Sequence, residues 1–288
     1  MRCNNTKNST IKYIPNIGMT EEIIIHQVWI GELSPPILWM NTVKQFCKKY
    51  KYKYILWNDE LVSSLELVND SLYKEMRSKK LYAGAVDVLR YEILYQYGGV
   101  YIDADTVILK PERFHTFLRS HTSTVFFGCE TDSCDLYANG TLGTPPNSPF
   151  FKDLVQQLSE YASNHKTEDV WKRTGPYFLT DFVKYRTQKD YTTIPKDVFY
   201  PMGWHNITDP WKHTKVKVPE ESLLFQYGYS TNKFNSIFQF RRNIYILLIA
   251  LLYICLYINY TRKNRYSIII LALLVLGLSG YGWFHCIH

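Results

Sequence analysis

The chain has 288 residues, enough for one ordinary domain with a further segment attached. Its formal net charge is +7, from 33 basic and 26 acidic residues. Five of the basic residues lie beyond position 240, which leaves 28 against all 26 acidic ones before it. A body so close to balance argues against an acidic polymer, nucleic acid included, as partner.

Residues 1–20 are polar and rich in Asn and Thr, with no apolar core, so no signal peptide is expected. Ile23 to Ile30 is a β-favouring run closed by Gly31 and predicts a buried first strand. His26 within it reads as a hydrogen-bonded core histidine before it reads as a ligand. Trp29, near the strand's end, can pack in the core or stack a nucleobase. Pro35-Pro36 breaks the chain, and Ile37 to Tyr50 then reads as a helix with Trp39, Val43 and Phe46 on one face. The basic-aromatic run at 48–54 marks the end of that helix and a second strand, with Tyr52, Tyr54 and Leu56 alternating inward. Glu60 to Lys80 predicts helix with a polar interruption. This alternation of strand and helix predicts a doubly wound, mainly parallel α/β sheet.

The next stretch, Leu81 to Asp105, organises the rest. Apolar residues recur at helical spacing from Tyr82 to Tyr97, and Asp87 and Arg90 fall three apart on one face. Gly98-Gly99 ends the helix, because glycine enters the left-handed region without steric cost. Val100-Tyr101-Ile102 predicts a short buried strand, with Asp103 and Asp105 at its carboxyl end and projecting to the same side on extended chain. An open α/β sheet places its ligand at that edge. Two carboxylates there suit a hard divalent cation, Mn²⁺ or Mg²⁺, although aspartates at a strand end also serve as turn residues.

The run D-x-x-R-Y-x-I-L-x-x-Y-G-G-x-Y-x-D-x-D from Asp87 to Asp105 resembles the core of the DxD-containing glycosyltransferases of family 32. That family includes yeast-type α-mannosyltransferases and mannosyl-inositolphosphoceramide synthase subunits, and the large glucosylating toxins are more distantly similar. The resemblance spans roughly Ile23 to Gly175. It implies a GT-A-like fold and a nucleotide-diphosphate-sugar donor, GDP-mannose most commonly, with UDP-glucose or UDP-galactose as the alternative. It further implies Mn²⁺ (or Mg²⁺) held by Asp103 and Asp105, and Asp87 and Arg90 on the donor sugar. Trp29 is expected to stack on the base, with Tyr101, Asp103 and Asn139 also lining the donor site. Thr174-Gly175-Pro176 would border the acceptor, and transfer would retain anomeric configuration. Relatives usually complete the metal shell with a late His, or an Asn or Ser near a Trp. Here the matching FQYGYSTNKF has Gln226, Tyr227 and Asn232 instead. Asn232 is thus the expected third ligand, with His205 and His213 upstream as substitutes.

Between these landmarks, Thr106 to Leu109 predicts extended chain and Val125 to Gly128 a strand. Cys129 and Cys134 lack zinc-site spacing, and six cysteines, two of them in the apolar tail, suggest no disulfide framework. Asn139-Gly140, Gly143 and Pro145-Pro146 read as a loop. Pro149 to Ala162 and Tyr177 to Tyr185 predict helices. Beyond Arg241, the apolar runs 244–260 and 267–284 flank Arg262, Lys263 and Arg265 and predict a transmembrane hairpin of two spans, each near the ~20 residues required. The domain plan is therefore a leading segment at 1–20, a GT-A domain at 21–236 and a hairpin at 243–285. Six N-x-S/T sequons, at Asn4, Asn8, Asn69, Asn139, Asn206 and Asn259, are weak in so Asn-rich a chain, and the topology leans cytosolic. The expected function is membrane-tethered hexosyl transfer to a glycan or an inositolphosphoceramide-like glycolipid. A metal-dependent phosphohydrolase and an inactive scaffold of the same fold are the competing readings.

Overall fold

The computed structural model describes residues 23–202 and 218–228, with helical positions 244, 246–251, 253, 254 and 257. The chain divides into two compact units, one of Met1–Gly203 with Val218–Tyr227 and one of Trp204–Lys217 with Gly228–His288. The elements below lie in the first.

In chain order they are β1 (Ile24–Val28), α1 (Ile37–Tyr50), β2 (Lys53–Trp57), α2 (Asp59–Val62), α3 (Asp70–Ser78), α4 (Tyr82–Tyr97), β3 (Gly99–Ile102), β4 (Thr106–Ile108), α5 (Pro111–Ser120), β5 (Val125–Cys129), β6 (Tyr137–Thr144), α6 (Pro149–Asn164), α7 (Val170–Arg173), α8 (Pro176–Tyr185), β7 (Tyr191–Ile194), α9 (Lys196–Phe199) and β8 (Leu224–Gln226). Six strands form one sheet in the order β2-β1-β3-β6-β5-β7, while β4 and β8 pair separately. Strand β1 is parallel to β2 and β3, and β5 is parallel to β7; β6 runs antiparallel to both neighbours, β3 and β5. The sheet is thus mainly parallel, as the alternating sequence predicts.

Side chains alternate across it and build two cores. Val28, Tyr101 and Phe127 join α3, α4, α6 and α8 on one face. Ile25, Val100, Ile102 and Phe126 join α1, α5 and α9 on the other. Burial on both faces explains why β1 and β5 are apolar-rich runs without polar alternation.

Helix α4 ends as its glycines require. Gly98 and Gly99 have φ of 62° and 87°, and a Cβ on Gly99 would lie 2.4 Å from the Ile24 carbonyl oxygen. His26, fully buried, belongs to the core: Trp57 Nε1–H donates to its Nδ1 (3.1 Å), so its Nε2–H is left to donate to the Gly98 carbonyl (3.0 Å). Burial pulls its pKa down to about 4.

Several expectations are corrected. The stretch 137–144, with its Asn139-Gly140 pair, is no loop but the central strand β6. Its glycines make room for neighbours: a Cβ on Gly143 would sit 2.1 Å from the Phe126 ring, and one on Gly140 would sit 2.7 Å from Asp103 Oδ2. The span 60–80, in contrast, is the interrupted helix expected there, in two pieces, the first capped by Asn58, whose side chain accepts from Leu61 N–H. Cys129 and Cys134 are joined in a disulfide across the β5–β6 connection, although the six cysteines suggested no disulfide framework.

The expected transmembrane hairpin, and the multi-pass membrane location drawn from it, are not upheld: among the described residues no helix is long and apolar enough to cross a membrane. The stretch 267–284 lies outside the described residues.

Candidate active site

Helix α4 carries Asp87 and Arg90 on one face, both buried, and β3 delivers Asp103 to meet them. Arg90 Nη2 lies 3.2 Å from Asp87 Oδ1 and 3.2 Å from Asp103 Oδ1. Its Nη1–H donates to the Asn139 carbonyl at 2.5 Å, and its guanidinium sits 4.6 Å over the Tyr101 ring. Tyr101 in turn donates its hydroxyl to Asp103 Oδ1 at 2.6 Å.

Asp87 is the second hub. Asn139 Nδ2–H donates to its Oδ1 (2.8 Å) and Thr174 Oγ1–H to its Oδ2 (2.9 Å). Asn139 also donates to the Tyr91 hydroxyl, which donates to the Thr174 carbonyl, both at 3.0 Å. Burial pushes the Asp87 carboxyl up to about 6, against the opposing pull of Arg90, Thr174 and Asn139. Burial works to lower Arg90, but Asp103, Tyr101 and Asp87 together raise it, so it stays a cation. Tyr101 is raised too, chiefly by burial, and stays a hydrogen-bond donor.

The two aspartates do not share one extended strand. Strand β3 ends at Ile102, and a turn closed by Thr106 N–H donating to the Asp103 carbonyl (3.1 Å) carries the chain into β4. The motif is therefore both a strand end and a turn, two roles that Asp suits. Asp105 is buried, and its carbonyl accepts from Tyr227 N–H at 3.0 Å. Trp29 stands at the carboxyl end of β1, the strand parallel to β3, on the same sheet edge; it is half-buried, and its indole N–H donates to the Leu33 carbonyl.

A metal must be judged against these donors. Asp103 Oδ1 already takes Tyr101 and Arg90, whereas among the described residues Oδ2 takes Gln226 Nε2–H alone (2.8 Å), which leaves it a lone pair. Among the described residues no three His, Cys, Asp or Glu side chains gather as a metal cage. Two carboxylates completed by substrate phosphates are how Mg²⁺ and Mn²⁺ are commonly bound, and Asp103 Oδ2 is an oxygen of the kind such an ion takes. Asn232, His205 and His213 lie outside the described residues.

The structure brings Asp87, Arg90, Tyr101, Asp103 and Asn139 into one bonded group. Three members were missed or misread in the sequence. Tyr91 stood in the D-x-x-R-Y run without a role, Thr174 was expected only to border the acceptor, and Gln27, whose Nε2–H donates to the Asp103 carbonyl (3.2 Å), was passed over although it is a polar residue inside an apolar strand.

A buried Arg thus lies between two carboxylates at the edge where the D-x-D turn leaves a mainly parallel sheet. Residues 36–124 match the family described as the glycosyltransferase sugar-binding region containing a DXD motif, and the chain is a glycosyltransferase. It is 28% identical over 267 residues to inositol phosphoceramide mannosyltransferase 1 of Schizosaccharomyces pombe, covering 87% of this chain and 78% of that protein. It is 30% identical over 215 residues to mannosyl phosphorylinositol ceramide synthase SUR1 of Saccharomyces cerevisiae, covering 70% of this chain and 53% of that one. Among solved structures, PaToxG glycosyltransferase aligns with a TM-score of 0.46 and 17% identity, over 56% of this chain and 68% of its own.

Proposed function

We propose that this glycosyltransferase moves a hexose, mannose from GDP-mannose, onto an inositol-phosphoceramide-like glycolipid, within a GT-A-like fold and with retention of configuration. The observation that carries the donor half is Arg90, buried and bonded to both Asp87 and Asp103 beside the D-x-D turn. The names of the two yeast relatives support mannose and the lipid acceptor.

Asp103 and Asp105 would hold Mn²⁺ (or Mg²⁺), which would neutralise the charge developing on the leaving diphosphate. Arg90 supplies a permanent positive charge in a water-poor setting, where such a charge acts strongly. Asp87, its carboxyl oriented by Thr174 and Asn139, accepts hydrogen bonds from sugar hydroxyls and fixes the ring relative to the diphosphate. Trp29, on the same edge, offers an aromatic face to the base.

The test is a donor panel. Purified protein is given GDP-mannose, UDP-glucose or UDP-galactose with Mn²⁺, and sugar release is followed with and without inositol phosphoceramide in detergent. GDP-mannose turnover stimulated by the lipid is the expected result. A preference for a UDP-hexose would replace the donor assignment, and turnover that no acceptor stimulates would favour a phosphohydrolase.

A further inference from the structure

The two central residues of β1, His26 and Gln27, are fully buried, and adjacent strand residues point to opposite faces. Each ends on a main-chain carbonyl that bounds β3. His26 reaches Gly98, just before the strand, and Gln27 reaches Asp103, just after it. A four-residue strand is thereby gripped at both ends from its neighbour. A buried carboxamide is costly unless bonded, and an apolar side chain would be the simpler occupant of this position. Both polar atoms of Gln27 are bonded: the Tyr54 hydroxyl donates to its Oε1 at 2.9 Å, which turns Nε2 toward the Asp103 carbonyl.

A second glutamine holds the other end of the same aspartate. Gln226 Nε2–H donates to Asp103 Oδ2 at 2.8 Å. Gln226 is the last residue of β8, which pairs with β4 immediately after the D-x-D turn, with Thr106 opposite Gln226. The next residue, Tyr227, donates its N–H to the Asp105 carbonyl and stacks on Trp39 with ring centroids 4.6 Å apart. Room for the contact comes from Gly140, where a Cβ would fall 2.7 Å from Asp103 Oδ2 and 2.8 Å from Gln226 Oε1. Strands β1, β6 and β8 thus converge on one residue.

We propose that Gln27 and Gln226 are positioning residues of the transferase, Gln27 fixing the main chain of Asp103 and Gln226 fixing its carboxylate. Together they present the remaining lone pair of Oδ2 to a divalent cation, which would in turn take the phosphate oxygens of the donor. This rests on the reading of Asp103 as a metal-binding carboxylate. Outer-shell partners that orient a ligating carboxylate typically govern metal affinity or activity by about 10–100-fold.

The experiment measures equilibrium binding of Mn²⁺ in the presence of GDP or UDP to the full chain, by the electron paramagnetic resonance signal of free Mn²⁺, beside a thermal melt. Gln27→Met and Gln226→Met keep length and remove the donor. Gly140→Ala is a third variant that crowds both Asp103 Oδ2 and Gln226 Oε1 and so disturbs their contact from outside. Weakening of Mn²⁺–nucleotide binding by about 10–100-fold in Gln226→Met and Gly140→Ala, in protein that is still folded at the assay temperature, is the expected result. Gln27→Met should show the same weakening, and should it not fold, the other two carry the test. Lowered melting temperature with unaltered Mn²⁺ binding would make the glutamines structural and overturn the proposal. Wild-type protein that transfers sugar at full rate in EDTA overturns instead the metal reading of Asp103, an outcome distinct from the first.

Discussion

Arg90 reaches from the middle of α4 to Asp103, just beyond β3, and holds its carboxylate at 3.2 Å with both side chains largely buried. The pair joins the helix before the glycine stop to the turn after the strand. Helix, strand and turn therefore form one unit whose geometry is set before any ligand arrives.

That burial decides what Arg90→Lys should do. An exposed ion pair contributes under ~1 kcal/mol, and its loss would leave kinetics unchanged. A buried guanidinium serving two carboxylates and a carbonyl cannot be matched by an ammonium with its different geometry. We expect at least a ~10²-fold fall in turnover, the scale of a lost positioning contact. Steady-state kinetics beside a melt will show whether activity falls further than stability does.

Removing the metal should be as damaging as removing its ligand. Transfer is expected to stop in EDTA and to return on addition of Mn²⁺. Asp105→Asn, similar in shape, should retain the fold by circular dichroism while losing transfer. Full activity in the chelator would exclude the diphosphate clamp assigned to Asp103 and Asp105.

His26 should make the fold acid-sensitive. Its folded pKa of about 4 lies below the ordinary 6.5, so the unfolded chain takes up the proton first. Its contribution is fully present above about pH 6.5 and is lost as pH falls from there through about 4. At 1.36 kcal/mol per pKa unit the loss reaches about 3 kcal/mol. Asp87 runs the opposite way: its raised pKa favours the folded state as pH drops through about 6. Urea denaturation of wild type and His26→Gln at pH 7 and pH 4.5 separates them, since only the wild type should show the His26 loss.

Gly143→Ala should destabilise by about 1–3 kcal/mol, the usual cost of overpacking, because the Phe126 ring fills the space that the methyl group needs. A paired Phe126→Leu change should return part of that loss in the same urea titration.

Long periodic segments were the legible part of the fold. The sequence pattern predicts α1 at Ile37–Tyr50 and α4 at Tyr82–Tyr97, and the structure has them there, because apolar spacing over several turns leaves little ambiguity. Strand β6 was hidden because two glycines and an Asn-Gly pair also spell a turn. Nothing local reveals that Phe126 and Asp103, brought alongside by the sheet, are what forbid a side chain at 143 and 140. The candidate site divides in the same way. Asp87 and Arg90 stood out by helical spacing, and Asp103 by its place after β3. The bonds of Thr174, Gln226 and Gln27 did not, since their partners are distant in sequence and are two single carboxylate oxygens and one main-chain carbonyl.

The position of β6 also limits how the chain can be divided. The region matched by the family stops at residue 124, before β6 begins. A fragment ending there would keep both motif aspartates and lose Asn139, Thr174 and Gln226. It would also strip β3 of its partner on one side, opening a short apolar edge to pairing with other chains. The signature that marks the enzyme in a database of sequences is thus not a part that can be excised and kept in solution; the smallest workable piece must run on through the strand that seals that edge.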